Sequence, residues 1–175
     1  MPFLVGLLAL IGAAYFWAQR ARNAADMTRE LAGVASDVAA AARRFGFRRR
    51  NNTHPVESLD DPDLAYAGAG IAFLELGGLP TVEAQDALIR SLQSRRDMAH
   101  DKAQEALILG RWLVTESQGA QPGFTRLVRK LMKMQGQAGF EPLMLVLRDV
   151  VDANQGVMSP QQGDALDEVK RIYRL

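Results

Sequence analysis

The sequence predicts an all-α protein: an N-terminal single transmembrane helix followed by a compact bundle of about six helices. Two observations carry this. An unbroken apolar stretch opens the chain and is closed by arginine, and from Asp63 onward apolar residues recur every three to four positions. A third observation is negative: no segment alternates apolar and polar residues between turn signals, as half-buried strands do. The 175 residues suit one domain with appendages, and 48% hydrophobic content is enough for a core. The absence of cysteine excludes disulfides, thiolate nucleophiles and cysteine-ligated metals.

The net charge of +1 conceals an asymmetry. Residues 1–50 hold 8 Lys/Arg against 3 Asp/Glu and carry +5, whereas residues 51–175 hold 13 against 17 and carry −4. A nucleic-acid binder concentrates positive charge on its folded domain. Here it lies beside the apolar segment, so no nucleic-acid partner is expected.

Pro2 to Ala18 (PFLVGLLALIGAAYFWA) contains no charged residue. As a helix it reaches about 25 Å, at the short end for a bilayer core. Tyr15 and Trp17 fall at headgroup level, and Arg20 and Arg22 follow where arginines snorkel. A cleaved signal peptide needs basic residues ahead of the apolar run, and there are none. A core helix this apolar needs burial on all sides. The anchor reading fits best, with residues 1–19 as the transmembrane segment. The basic residues follow the span, so the expected topology in a bacterial inner (cytoplasmic) membrane is single-pass. Its N-terminus lies outside and its C-terminal domain in the cytoplasm. Gly6, Ala9, Gly12 and Ala13 offer a small-residue face for another membrane helix, although small residues are common in such spans.

Residues 20–62 read as stalk and linker. Leu31, Val34 and Val38 keep helical spacing in an alanine-rich stretch. Arg43, Arg44, Phe45, Phe47, Arg48, Arg49 and Arg50 then form a basic, aromatic string suited to anionic lipid headgroups. A plain solvated linker is an equal reading, and the same residue types also grip single-stranded RNA.

Residues 63–175 form the expected helical domain, with helices over Asp63–Leu76, Thr81–Arg96, His100–Ser117, Phe124–Met134, Phe140–Ala153 and Ser159–Tyr173. Gly119 to Gly123 reads as a break. Ser159-Pro160-Gln161-Gln162 is a capping box with proline at the first helical position. Leu79-Pro80-Thr81-Val82-Glu83 is a looser version. Gly77 to Glu83 and Gly156 to Gln162 share one spacing, with Leu79 and Met158 at matching places.

This duplicated helix, glycine turn and capped helix resembles the TerB-like domain, an all-helical fold first linked to tellurite resistance. The family pattern is Asp-Gly, an apolar residue two further on, Ser/Thr, then Glu six after the glycine. The resemblance implies acidic residues converging on one face and an association with metal. An apolar N-terminal helix ahead of such a domain is similar to membrane-anchored DnaJ-like co-chaperones. The departures are specific. Leu76 and Gln155 stand where the family has aspartate, and Gln162 stands opposite Glu83. Leucine cannot ligate, and hard cations want several carboxylates. Metal binding is therefore not carried over: Glu83 reads as a helix cap, and Glu75 and Asp152 are the nearest substitutes. No J-domain is expected, since His54-Pro55-Val56 lacks the aspartate of His-Pro-Asp and the sequence ends at Leu175.

No catalytic set emerges. His54 sits in a loop, and His100 opens a helix beside Asp101; neither has a second histidine three or four residues on, as a paired-histidine metal site would. Gly68-Ala69-Gly70 lacks the Lys-Ser/Thr of a phosphate loop and reads as a site of close helix approach. Arg126, Arg129, Lys130 and Lys133 read as a solvated basic face, or a contact for acidic partners. Met132, Met134 and Met144 read as core packing, or as an adaptable groove. The expectation is an interaction protein without catalysis or cofactor, partnered by membrane lipids and an integral membrane protein or complex. Its alternatives are a TerB-type stress or metal-response module and an enzyme with an unrecognised site.

Overall fold

A computed structural model describes residue 33, residues 35–48 and residues 52–175 of the chain. The expected anchor, with Gly6, Ala9, Gly12, Ala13, Tyr15, Trp17, Arg20 and Arg22, lies outside the described residues, as do Arg49 and Arg50. Among the described residues no helix is long and apolar enough to cross a membrane.

The chain divides into a unit spanning residues 1–39 and a compact body from Ala40 to Leu175. The described part of the body is all-helical. Residues 35–44 are helical, and beyond them come six α-helices: α1 (Pro62–Leu76), α2 (Val82–Arg96), α3 (His100–Glu116), α4 (Ala120–Gln135), α5 (Phe140–Ala153) and α6 (Pro160–Tyr173). Two short 3-10 helices, Pro55–Ser58 and Gly136–Gly139, complete it.

Helix α1 is the central strut. Leu64 through Leu74 are all buried, and α1 touches each of the other five helices. Its sequence (LAYAGAGIAFL) is uniformly apolar and small because it has no solvent face. Gly68 and Gly70 make this possible. A Cβ on Gly110 of α3 would lie 3.0 Å from the Gly68 Cα, and one on Gly70 would meet Leu88 of α2 at 2.6 Å. Tyr66, Phe73, Phe124, Leu113 and Leu127 are among the largest fully buried side chains. Each such burial is worth about 1.5–3 kcal/mol.

Helix ends follow local chemistry. Asp61, Thr81 and Ser159 cap α1, α2 and α6 by accepting from Asp63 N (2.9 Å), Ala84 N (3.2 Å) and Gln162 N (3.1 Å). The break before α4 is narrower than expected: only Gln118 and Gly119, with φ of 68° and 118°, turn the chain. Pro122 and Gly123 are helical. Proline costs no hydrogen bond in a first turn, and Gly123 lies where a Cβ would press on the Val114 backbone at 3.3 Å.

The body also begins earlier than the expected boundary at residue 63. Val56 and Leu59 are fully buried, so the segment before α1 is core rather than spacer. His54 caps its 3-10 helix, Nδ1 accepting from Val56 N (3.3 Å), while Nε2 lies 3.2 Å from the Glu116 carbonyl at the end of α3. This histidine is a structural clip.

Candidate docking surface

The two glycine turns come together at one end of the bundle. Ser159 Oγ donates to the Leu76 carbonyl across 2.8 Å, and buried Gln162 Nε2 donates to the Phe73 carbonyl across 3.0 Å. The start of α6 is thereby bonded to the end of α1. Gln162 Oε1 also accepts from Ser159 N at 3.0 Å, closing the capping box. With its amide oxygen and nitrogen both engaged at this junction, Gln162 is a structural joint.

The turns are not equivalent, despite equal spacing from their glycines. Gly77 has φ −80°, while Gly156 has φ 75° and follows Gln155 at φ 56°. Counted from Thr81, Glu83 is the second helical residue, with Ala84 third; counted from Ser159, Gln162 is third. Only the third position reaches back to the capping backbone. Glu83 is exposed and makes no such bond, so the expected side-chain cap is absent there. Its charge still favours the helix N-terminus.

The acidic candidates do not converge. Glu75 faces Arg111 at 3.9 Å. Burial raises its pKa above the ordinary carboxylate value, and the Arg111 charge only partly offsets this. Asp152 pairs with Arg148 along α5 at 3.6 Å. Among the described residues no group of three His, Cys, Asp or Glu side chains lies close enough to hold a metal.

Among the polar residues that the paired turns expose stand several large apolar ones. Leu79 is 98% exposed, Val82 69%, Val157 64% and Met158 44%. Leu79 and Asn154 line one small cleft with Val150 and Gln162, and Asn154 Nδ2 holds the Val157 carbonyl at 2.9 Å. The matching places of Leu79 and Met158 are thus outward-facing on both turns. Beside them runs a groove of about 420 Å³ between α5 and α6, lined by Phe140, Met144, Leu145, Val151, Met158 and Leu166, with Glu141 and Arg148 its charged residues. Of the three methionines singled out from sequence, Met144 alone lines it. Met158 joins from the turn before α6, a contribution of tertiary structure that no local pattern signals.

The arginine–phenylalanine string folds back on α3. Phe47 meets Trp112 edge-on, with centroids 5.8 Å apart. Lys102 stands over Phe45 at 5.2 Å, and Arg44 pairs with Glu105. Both phenylalanines are half-buried; Arg43 and Arg48 remain exposed. The rings therefore pack on protein, and the basic residues are what this segment offers outward.

The expected basic face of α4 is divided. Lys130 is buried and donates to the Glu57 carbonyl at 2.8 Å, clamping the segment before α1. Arg129 approaches Glu168 at 3.5 Å, while Arg126 and Lys133 are exposed. Two further charge clusters are structural. Asp63 holds Arg96 (3.0 Å) and Lys102 (3.4 Å), and Arg96 lies 4.4 Å over the Tyr66 ring. Asp149 accepts from Ser91 (2.7 Å) and Arg95 (3.1 Å), tying α5 to α2. Burial pushes Asp149 upward, but those bonds and the charges of Arg95 and Arg148 outweigh it and lower its pKa.

Fold and surface together define the class: a helical body with an apolar turn pair and an adjoining apolar groove. Compared with known proteins, the chain matches no family model, no curated protein and no solved structure.

Proposed function

We propose that this chain is a membrane-anchored helical interaction protein, an accessory or assembly subunit of a membrane complex. Residues 2–18 hold it in the bilayer, and the paired turns bind an integral membrane protein. The supporting observation is the group of exposed side chains Leu79, Val82 and Val157, gathered by the bonds that join the two turns. Exposed apolar residues grouped in one place mark contact surfaces. An anchor confines the search for a partner to the membrane, and Arg43 and Arg48 add attraction to anionic headgroups. The reading assigns no catalysis.

Its test is a crosslinked pull-down of the full-length protein from mild detergent, beside a version lacking residues 1–22 and a Leu79→Ser/Val157→Ser variant. The reading expects one integral membrane protein to be recovered with the full chain and lost with the turn variant. Equal recovery with intact and altered turns would reject the turn surface.

A second reading, the TerB-type stress or metal-response module, draws on one observation: the two turns adjoin, as the resemblance implies. Calorimetric titration of the full chain with calcium, zinc and manganese decides it. Binding heat and a thermal shift would support that reading, and neither would end it.

A further inference from the structure

We infer that the groove between α5 and α6 is the surface through which two copies of this chain pair. The reasoning starts from the charges at the groove. They are Glu141 and Arg148, of opposite sign and both exposed on α5. Seven residues separate them, two helical turns or about 10 Å along one face. Glu141 has no ion-pair partner among the described residues of its own copy. Arg148 has Asp152, at 3.6 Å in an exposed pair that exchanges at little cost, and its charge also reaches Asp149.

A second α5 laid antiparallel on the first, about a two-fold axis between Met144 and Leu145, satisfies this pattern from both sides. Glu141 of each copy then lies opposite Arg148 of the other, and Met144 and Leu145 of both copies meet at the centre. A two-fold contact requires such self-complementarity, because one patch must serve as both halves. An apolar centre with an exposed acid on one side and an exposed base on the other, all on one helix face, meets that requirement. The unbranched side chains of Met144 and, at the groove edge, Met158 adapt to the incoming side chains. The contact uses α5 and α6 and leaves Leu79 and Val82 open; it shares only the Val157–Met158 edge with the turn surface. The Glu141 and Arg148 reversals lie outside that surface, so they distinguish its failure from failure of the partner reading. If that reading holds, two copies anchored in one bilayer also gain effective concentration.

The test uses the full-length protein in mild detergent, with mass measured by sedimentation. Wild type is expected to dimerise at or below about 100 µM, the range of a modest standard-sized contact. Glu141→Arg places two like-charge contacts in the dimer, and so does Arg148→Glu. Each alone is expected to weaken pairing about tenfold or more. Mixing the two variants restores attraction at both contacts, and the mixture is expected to form heterodimers. The double variant is expected to recover self-pairing. Glu141→Arg loses an acid from the first turn of α5, and Arg148→Glu loses the pair with Asp152. Thermal melts should therefore fall by only a few degrees and stay cooperative, which separates lost pairing from lost folding. A monomeric wild type would overturn the inference. So would a dimer indifferent to both single reversals, which would assign pairing to the anchor or another face, and so would a mixture that fails to pair.

Discussion

Gln162 and Phe73 are joined by a buried hydrogen bond, side-chain amide to main-chain carbonyl, across 3.0 Å. It fixes where α6 begins relative to the end of α1, and the capping bond to Ser159 fixes the amide orientation. Gln162→Glu, the substitution that restores the acid of the TerB-like pattern, replaces a donor by a charged acceptor facing a carbonyl. Such a loss with a buried unpaired charge costs about 2–4 kcal/mol. Burial raises the pKa of such a carboxyl, so denaturant unfolding is expected to show that loss at neutral pH and its partial recovery as pH falls toward about 4, the unfolded value.

Tyr173 carries a second junction. Its ring lies 5.4 Å from that of Phe140, and its buried hydroxyl has no hydrogen-bond partner among the described residues. Burial, reinforced by the nearby Tyr66, pushes its pKa up to about 12. Tyr173→Phe removes an unsatisfied group, so the variant is expected to match wild type or exceed it by up to about 1 kcal/mol at neutral pH. The folded pKa lies above the unfolded value near 10, so wild type loses stability between about pH 10 and pH 12. The phenylalanine variant lacks this loss, and thermal melts across that range should widen the gap in its favour.

Asp149 has the opposite sign. Its pKa is lowered on folding, so it adds stability above the ordinary aspartate pKa, and that contribution disappears as pH falls through the folded value. Asp149→Asn is expected to cost about 1 kcal/mol at neutral pH, for a partly exposed pair with Arg95. The deficit should shrink as pH falls below the ordinary aspartate value in acid unfolding curves.

Phe47 and Trp112 test the folded-back segment. Phe47→Ala is expected to cost about 1–2 kcal/mol, from lost ring area and the edge-on contact. In a Trp17→Phe background the emission of Trp112 should shift to the red. Unchanged emission would detach residues 43–48 from α3.

Much of the fold was legible because it is local. Periodicity placed every helix, and the caps at Thr81 and Ser159 placed two starts. The start of α4 was missed because Pro122 and Gly123 look like breakers in sequence, whereas a first turn accepts proline and the contact with Val114 favours glycine. The site was legible only in outline. Equal spacing from Gly77 and Gly156 suggested equal roles for Glu83 and Gln162, but the turns differ in backbone and the two residues sit one helical position apart. The burial of Lys130, the double duty of Gln162 and the wall that Met158 adds to the groove are set by distant neighbours. Sequence periodicity does not report those.

The central claim is that the paired turns, on a membrane-held chain, meet an integral membrane protein. Photo-crosslinkers placed singly at Leu79 and Val157, and at the control positions Arg126 and Lys133, test it most directly in native membranes. The account predicts that both turn positions trap the same integral membrane protein and that neither control does. Labelling of that protein from all four positions, or from none of them in a chain found outside the membrane fraction, would contradict it.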